Sequence, residues 1–122
     1  MFGPPDVYQL ERDGNVKGLI RALRYRKDVY TRRLAAQALK SKPDPRALKP
    51  LLSALRDPDS DVRYYAALAL GGIGDPRALK SLIAALEDES DLVCCAAAHS
   101  LGDIGGPRAL LPLTRALEHP FR

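Results

Sequence analysis

Asp75-Pro76-Arg77-Ala78-Leu79 decides the fold, because the chain writes it three times. Asp44-Pro45-Arg46-Ala47-Leu48 stands 31 residues earlier, and Gly106-Pro107-Arg108-Ala109-Leu110 stands 31 residues later. Self-similarity at a fixed period of about 20–50 residues marks a chain of stacked supersecondary units. Such units cannot bury their apolar faces alone, so each needs its neighbours. Within the motif, Asp is a helix N-cap whose carboxylate accepts a backbone N–H. Pro at the first helical position has no N–H to leave unsatisfied. In the third copy Gly106 replaces the Asp. Arg46, Arg77 and Arg108 recur in every copy, which favours a structural bond to a carboxylate or carbonyl of the adjacent turn.

After the motif, Leu79, Leu82, Ile83 and Leu86 recur at helical spacing and predict an amphipathic helix. Leu48, Leu51, Leu52 and Leu55 repeat the stripe, and so do Leu110, Leu113, Thr114 and Leu117. Before each motif lies a second helical pattern. Residues 62–71 contain Ala66, Ala67 and Ala69, small enough for axes to approach at the short end of about 8–10 Å. Residues 29–40 offer Leu34, Ala35, Ala38 and Leu39, and the last unit offers Val93, Ala97, Ser100 and Leu101. Gly71-Gly72-Ile73-Gly74 reads as an unwound helix end with Ile73 folded back as an apolar plug. At the N-terminus, Asp6 and Asn15 are caps for a shorter pair over residues 7–12 and 16–25, with Val16, Leu19, Ile20 and Leu23 as its stripe. The expectation is one all-α domain over 1–122, with units near 5–25, 29–56, 60–87 and 91–118.

The third unit, Val62-Arg63 followed by Ala66-Ala67, Ala69-Leu70-Gly71, Ile73-Gly74-Asp75-Pro76-Arg77-Ala78-Leu79, Leu82-Ile83 and Ala85-Leu86, resembles the short HEAT-like repeat named for phycobilisome lyases. The resemblance extends over residues 14–118, with departures at Lys40-Ser41-Lys42, Cys94-Cys95 and Gly106. It implies a right-handed α-solenoid of about four antiparallel helix pairs, the second helix of each pair lining the concave side. Proteins with this repeat share architecture rather than chemistry. The implied role is a non-catalytic scaffold for protein partners.

Specific chemistries can be tested on residues. Deoxyhypusine hydroxylases use similar repeats with His-Glu pairs that hold a di-iron centre. The matching positions here are Arg33-Leu34, Tyr64-Tyr65 and Cys95-Ala96, which excludes that chemistry. A bilin-lyase role is the enzyme alternative that the repeat's name invites, and the chain offers no evident set of aromatics and acids for a tetrapyrrole. Cys94 and Cys95 are neighbours, about 100° apart on a helix, so a bond between them requires abnormal geometry. With no C-x-x-C motif and only two His, no metal or other cofactor is expected. The longest apolar run, residues 92–98, has seven members against the roughly 20 of a membrane span. No basic patch followed by an apolar run opens the chain. A soluble, reduced, cytoplasmic setting is expected.

The net charge of +4 is uneven. Residues 1–60 carry 13 Lys and Arg against 7 Asp and Glu, whereas residues 61–122 carry 6 against 8. Lys17, Arg21, Arg24, Arg26, Lys27, Arg32 and Arg33 hold most of the excess. The candidate partner-binding surface on the concave face is Lys17, Arg21, Arg24, Lys49, Ser53, Arg56, Lys80, Ala84, Glu87, Leu111 and Arg115, and an acidic protein is the expected partner. Nucleic acid is disfavoured, because the column Lys17, Lys49, Lys80 ends in Leu111 and neighbouring columns run on to Ala84, Glu87 and Glu118. Aromatic and basic residues do not interleave for base stacking. Leu111, apolar at the end of a lysine column, points to self-association through the C-terminal helix pair. The simpler explanations serve elsewhere: packing for Cys94 and Cys95, a solvated face for His99, a helix terminus for His119, and cover for the neighbouring repeat for Tyr64 and Tyr65.

Overall fold

The computed structural model describes residues 3–105, and in them seven α-helices and two 3₁₀ turns, with no strand. The helices are α1 (Val7–Arg12), α2 (Val16–Leu23), α3 (Val29–Ser41), α4 (Leu48–Ala54), α5 (Ser60–Ile73), α6 (Leu79–Ala85) and α7 (Asp91–Gly105). Helices α3, α5 and α7 pack on one another in series; α2 lies against α3, α4 against α5 and α6 against α7. Leu110, Leu111, Leu113, Thr114, Arg115, Leu117 and His119, and with them the expected second helix of the last pair, lie outside the described residues.

Local chemistry starts most helices where the sequence expects, although α5 begins at Ser60, two residues ahead of the expected start at Val62 and inside the expected turn. Asp6, Asn15, Asp28 and Asp59 accept the backbone N–H of Gln9, Gly18, Tyr30 and Val62 at 2.9–3.2 Å. In the repeated motif the Asp cap and the proline are as expected, and Asp44 and Asp75 accept from the N–H of Arg46 and Arg77, both at 2.9 Å. The first turn is the tighter 3₁₀ form, Pro45–Ala47 and Pro76–Ala78, before α4 and α6 begin. The expected unwinding at Gly71 does not occur. Helix α5 continues through Ile73 and stops only at Gly74, whose φ of 74° is the left-handed conformation that glycine adopts without a Cβ penalty. Ile73 is half-buried against the core from within the helix, not from a folded-back loop.

The core repeats with the sequence. Leu39, Leu70 and Leu101 are fully buried at 31-residue intervals, as are the pairs Leu51 and Leu82, and Val62 and Val93. Ala35, Ala66 and Ala97 form the close-packed column between α3, α5 and α7. One member of a small-residue column differs: Ala38 and Ala69 are followed by Ser100, wholly buried, whose hydroxyl donates to Ala67 O at 2.6 Å. That bond satisfies the only polar atom the change introduces.

The units are joined by two buried arginines, and these are not the arginines of the repeated motif. Arg46 and Arg77 do not reach an adjacent turn. Each turns back onto its own cap, with Nη2 at 2.9 Å from Asp44 and 2.8 Å from Asp75. The reason is geometric, since a carboxylate two residues away is met before any neighbour. Arg32 is the residue that crosses. Its Nε and Nη2 donate to the two oxygens of Asp57 at 3.0 and 3.4 Å, and its Nη1 donates to Tyr25 O and Arg26 O. Arg63, 31 residues on, repeats this with Asp88 at 2.9 and 3.2 Å, and with Asp57 O and Pro58 O. Each guanidinium thus ties the preceding turn to the following one. At the next position in register stands Cys94, whose thiol donates to Asp88 O at 3.0 Å, the carbonyl equivalent to the one Arg63 uses.

Candidate partner-binding surface

The second helices of successive units carry the residues chosen from charge and periodicity. Lys17, Arg21 and Arg24 lie on or at the end of α2, Lys49, Ser53 and Arg56 on or after α4, and Lys80, Ala84 and Glu87 on or after α6. All nine are exposed, because each falls opposite the buried stripe of its helix. Leu111 and Arg115 lie outside the described residues.

Two connected hollows divide these residues. Between α4 and α6 runs an open groove of about 720 Å³, lined by Ser53, Arg56, Lys80, Ala84 and Glu87 together with Leu52, Leu55, Ser81, Ala85 and Asp88. Ser53 and Arg56 also line a narrower pocket of about 120 Å³ toward α2, with Leu23, Arg24, Arg26, Pro50, Ala54, Asp57 and Pro58. The structure therefore brings Arg24, Ser53, Arg56, Lys80, Ala84 and Glu87 onto one continuous surface. Lys17 and Lys49 line neither hollow. Arg21 faces the other way, into a shallow depression of about 220 Å³ beside α1 with Pro5, Asp6, Gln9, Leu10 and Gly18. Sequence reasoning misses Arg26, because it belongs to a turn, and misses Leu52 and Leu55, because periodicity assigns both wholly to the core stripe. Each leucine is only partly covered, and each contributes an apolar wall to the groove.

The basic cluster is also smaller than the sequence suggests. Arg32 is buried on Asp57, and Arg26 reaches the same carboxylate at 3.3 Å. Arg33 grips Asp59 through two bonds of 2.9 and 2.7 Å and lies 5.2 Å from the ring of Tyr30. Those hydrogen bonds raise the Arg33 pKa and hold the Asp59 carboxyl below its ordinary value. Three of the seven cations are thus fastened to the second turn. Among the described residues, the side chains of Arg24, Arg56 and Lys80 have no hydrogen-bond or ion-pair partner.

The remaining candidates have local explanations. Tyr64 and Tyr65 are half-buried, edge to face at 5.2 Å, and pack against the core. The His99 side chain is 70% exposed and lies 3.4 Å from Asp103 in the same helix. Burial, followed by the charge of Asp88, pushes the Cys94 thiol pKa up. Among the described residues no three His, Cys, Asp or Glu gather where they would hold a metal ion, and no helix is long and apolar enough to cross a membrane.

No curated protein matches the chain. The family model for HEAT repeats matches it twice, over residues 16–94 and 55–122. HEAT repeats commonly mediate protein interaction and are generally non-catalytic. The stacked, 31-residue helical units and the matched span, which covers nearly the whole sequence, make this chain a member of the HEAT repeat family.

Proposed function

We propose that the chain is a non-catalytic scaffold that binds an acidic protein partner along the face carrying α2, α4 and α6. On this reading the units form a right-handed α-solenoid of the short, phycobilisome-lyase type, with that face concave. The observation that carries the proposal is the continuous surface on which the side chains of Arg24, Arg56 and Lys80 stand without partners among the described residues, beside the apolar walls of Leu52, Leu55 and Ala85. Unpaired cations at a rim raise the encounter rate with an acidic surface, and the apolar wall supplies the area to be desolvated. Free Cys94 and Cys95 thiols support a reducing, cytoplasmic location. Self-association through the C-terminal pair is part of the same proposal, and light scattering showing a monomer at high micromolar concentration overturns that part.

Fluorescein-labelled polyglutamate provides the test, read by anisotropy at low and physiological salt. Arg56→Glu combined with Lys80→Glu should weaken binding at least tenfold, whereas a charge reversal at Arg12, on α1, should not. Equal binding by both variants removes the assigned face. A change in the absorbance of an added bilin points to the lyase-like alternative, and steeply salt-dependent retention of duplex DNA in preference to polyglutamate points to nucleic acid.

A further inference from the structure

We propose that the narrow pocket between α2 and α4 is a phosphate site, which takes the phosphorylated serine or threonine side chain of the acidic partner. The proposal deepens the scaffold reading and depends on it. Three arginines, Arg24, Arg26 and Arg56, line a space of about 120 Å³ together with Ser53. They come from two successive units: Arg24 ends α2, Arg26 lies in the turn after it, and Ser53 and Arg56 stand one helical turn apart at the end of α4. The single carboxylate of the lining, Asp57, is 3% exposed, bound bidentately by Arg32 and shared with Arg26 at 3.3 Å. One carboxylate thus faces Arg26 and Arg32 together, which leaves the charges of Arg24 and Arg56 unopposed in the lining. Like charges in one concavity repel, and a doubly charged anion relieves that repulsion.

The shape of the cations selects among anions. Guanidinium offers a planar fork of donors that matches phosphate oxygens two at a time, and a phosphomonoester brings about −1.5 to −2 charges to a single point. The volume is far below the roughly 300–1,000 Å³ of pockets that enclose whole small molecules, so the pocket suits one group on a larger ligand. A nucleic-acid strand fits the surroundings less well. Duplex DNA carries a charge for about every 1.7 Å of its length, and beyond Arg56 and Lys80 the adjoining groove is lined by Ser81, Ala84, Ala85 and the carboxylates Glu87 and Asp88, with no further cation for a continuing backbone. One phosphorylated side chain in an acidic segment reaches the pocket without passing those carboxylates.

The test compares three fluorescein-labelled acidic peptides that differ only at a central position occupied by phosphoserine, serine or glutamate. The phosphoserine peptide should bind at least tenfold more tightly than either of the others. Arg24→Ala and Arg56→Ala should each abolish that preference while leaving urea unfolding unchanged, since neither side chain bonds to another described residue. Absence of the preference, or its survival in both variants, overturns the phosphate site. In that event polyglutamate binding that still depends on Lys80 leaves the scaffold reading standing, and loss of both together removes the two readings. A short DNA duplex that displaces the phosphopeptide at equal phosphate concentration, with the same arginine dependence, also overturns the proposal in favour of a phosphodiester ligand.

Discussion

Arg63 donates from Nε and Nη2 to both carboxylate oxygens of Asp88, 25 residues further along the chain, and so fastens one repeat unit to the next. The pair is largely buried, with side-chain exposures of 9% and 12%. The remaining nitrogen satisfies the carbonyls of Asp57 and Pro58. Arg63→Ala strands a carboxylate and two carbonyls at once, and breaking a buried pair from one side costs about 3–5 kcal/mol. Urea unfolding should show that loss. Arg77→Ala should move the curve far less, because its 71% exposed side chain bonds, among the described residues, only to Asp75 in its own unit. Equal losses from the two substitutions would contradict the assignment of the inter-unit bond.

The architecture is legible in the sequence because one signal governs it. A 31-residue period fixes at once the motif, the leucine columns and the alanine column, and Leu39, Leu70 and Leu101, Ala35, Ala66 and Ala97, and the motif's Ala47 and Ala78 are buried as the period requires. The arginine rungs obey the same period, Arg32 with Arg63 and Asp57 with Asp88, yet the spacing of 25 from donor to acceptor is not a helical spacing. Arg32 is also camouflaged by its neighbours in a basic run, whereas Arg77 draws notice by recurring inside the conspicuous motif. The surface is legible in part for a related reason. Periodicity tells which side of a helix a residue occupies, so it places Arg24, Arg56 and Lys80 correctly as exposed. It does not tell where two helices leave a hollow, so it admits Lys17 and Lys49, which line neither the groove nor the narrow pocket, and omits Arg26.

Acid should weaken the fold through Asp44, Asp59 and Asp75. Arginine side chains, Arg46, Arg33 and Arg77 respectively, hold each carboxyl below its ordinary value of 3.8. A depressed folded-state pKa means the unfolded chain binds the proton more tightly. The stabilisation is therefore complete above the ordinary value and disappears as pH falls through the folded-state value. Urea midpoints should be level from neutral pH down to about 4 and then decline. Asp59→Asn isolates one contribution, because Asn caps a helix as well as Asp does. Its stability should be lower at neutral pH and should fall less steeply in acid; a slope identical to that of the parent chain would remove Asp59 from the account.

Two glycines of neighbouring helices should respond in opposite directions to alanine. A Cβ on Gly71 in α5 collides with the hydroxyl of Ser100 and stands 2.7 Å from its Cβ and 3.0 Å from its backbone, so α5 and α7 must move apart. Overpacking of this kind costs about 1–3 kcal/mol. A Cβ on Gly102 in α7 meets nothing within 4 Å among the described residues, and alanine is the better helix former there by roughly 0.8–1 kcal/mol. Thermal unfolding should place Gly71→Ala below the parent and Gly102→Ala above it. Ser100→Ala added to Gly71→Ala should recover only part of the loss. The new methyl group still presses on the backbone and Cβ of residue 100, while the bond to Ala67 O disappears.

The adjacent thiols should differ sharply in reactivity despite sharing a helix. Cys94 occupies the register position of Arg32 and Arg63, turned toward the preceding turn, where its thiol donates to Asp88 O and burial raises its pKa. Cys95 is exposed. Alkylation proceeds through the thiolate, so a half-buried thiol with a raised pKa reacts slowly. Iodoacetamide on the folded chain at neutral pH should therefore give one fast and one slow modification by intact mass. Cys95→Ser should eliminate the fast phase and Cys94→Ser the slow one, and both sites should react alike in urea. A fast phase that survives Cys95→Ser would mean that Cys94 is not engaged with the Asp88 carbonyl, and that the end of the arginine ladder is open rather than closed by a thiol.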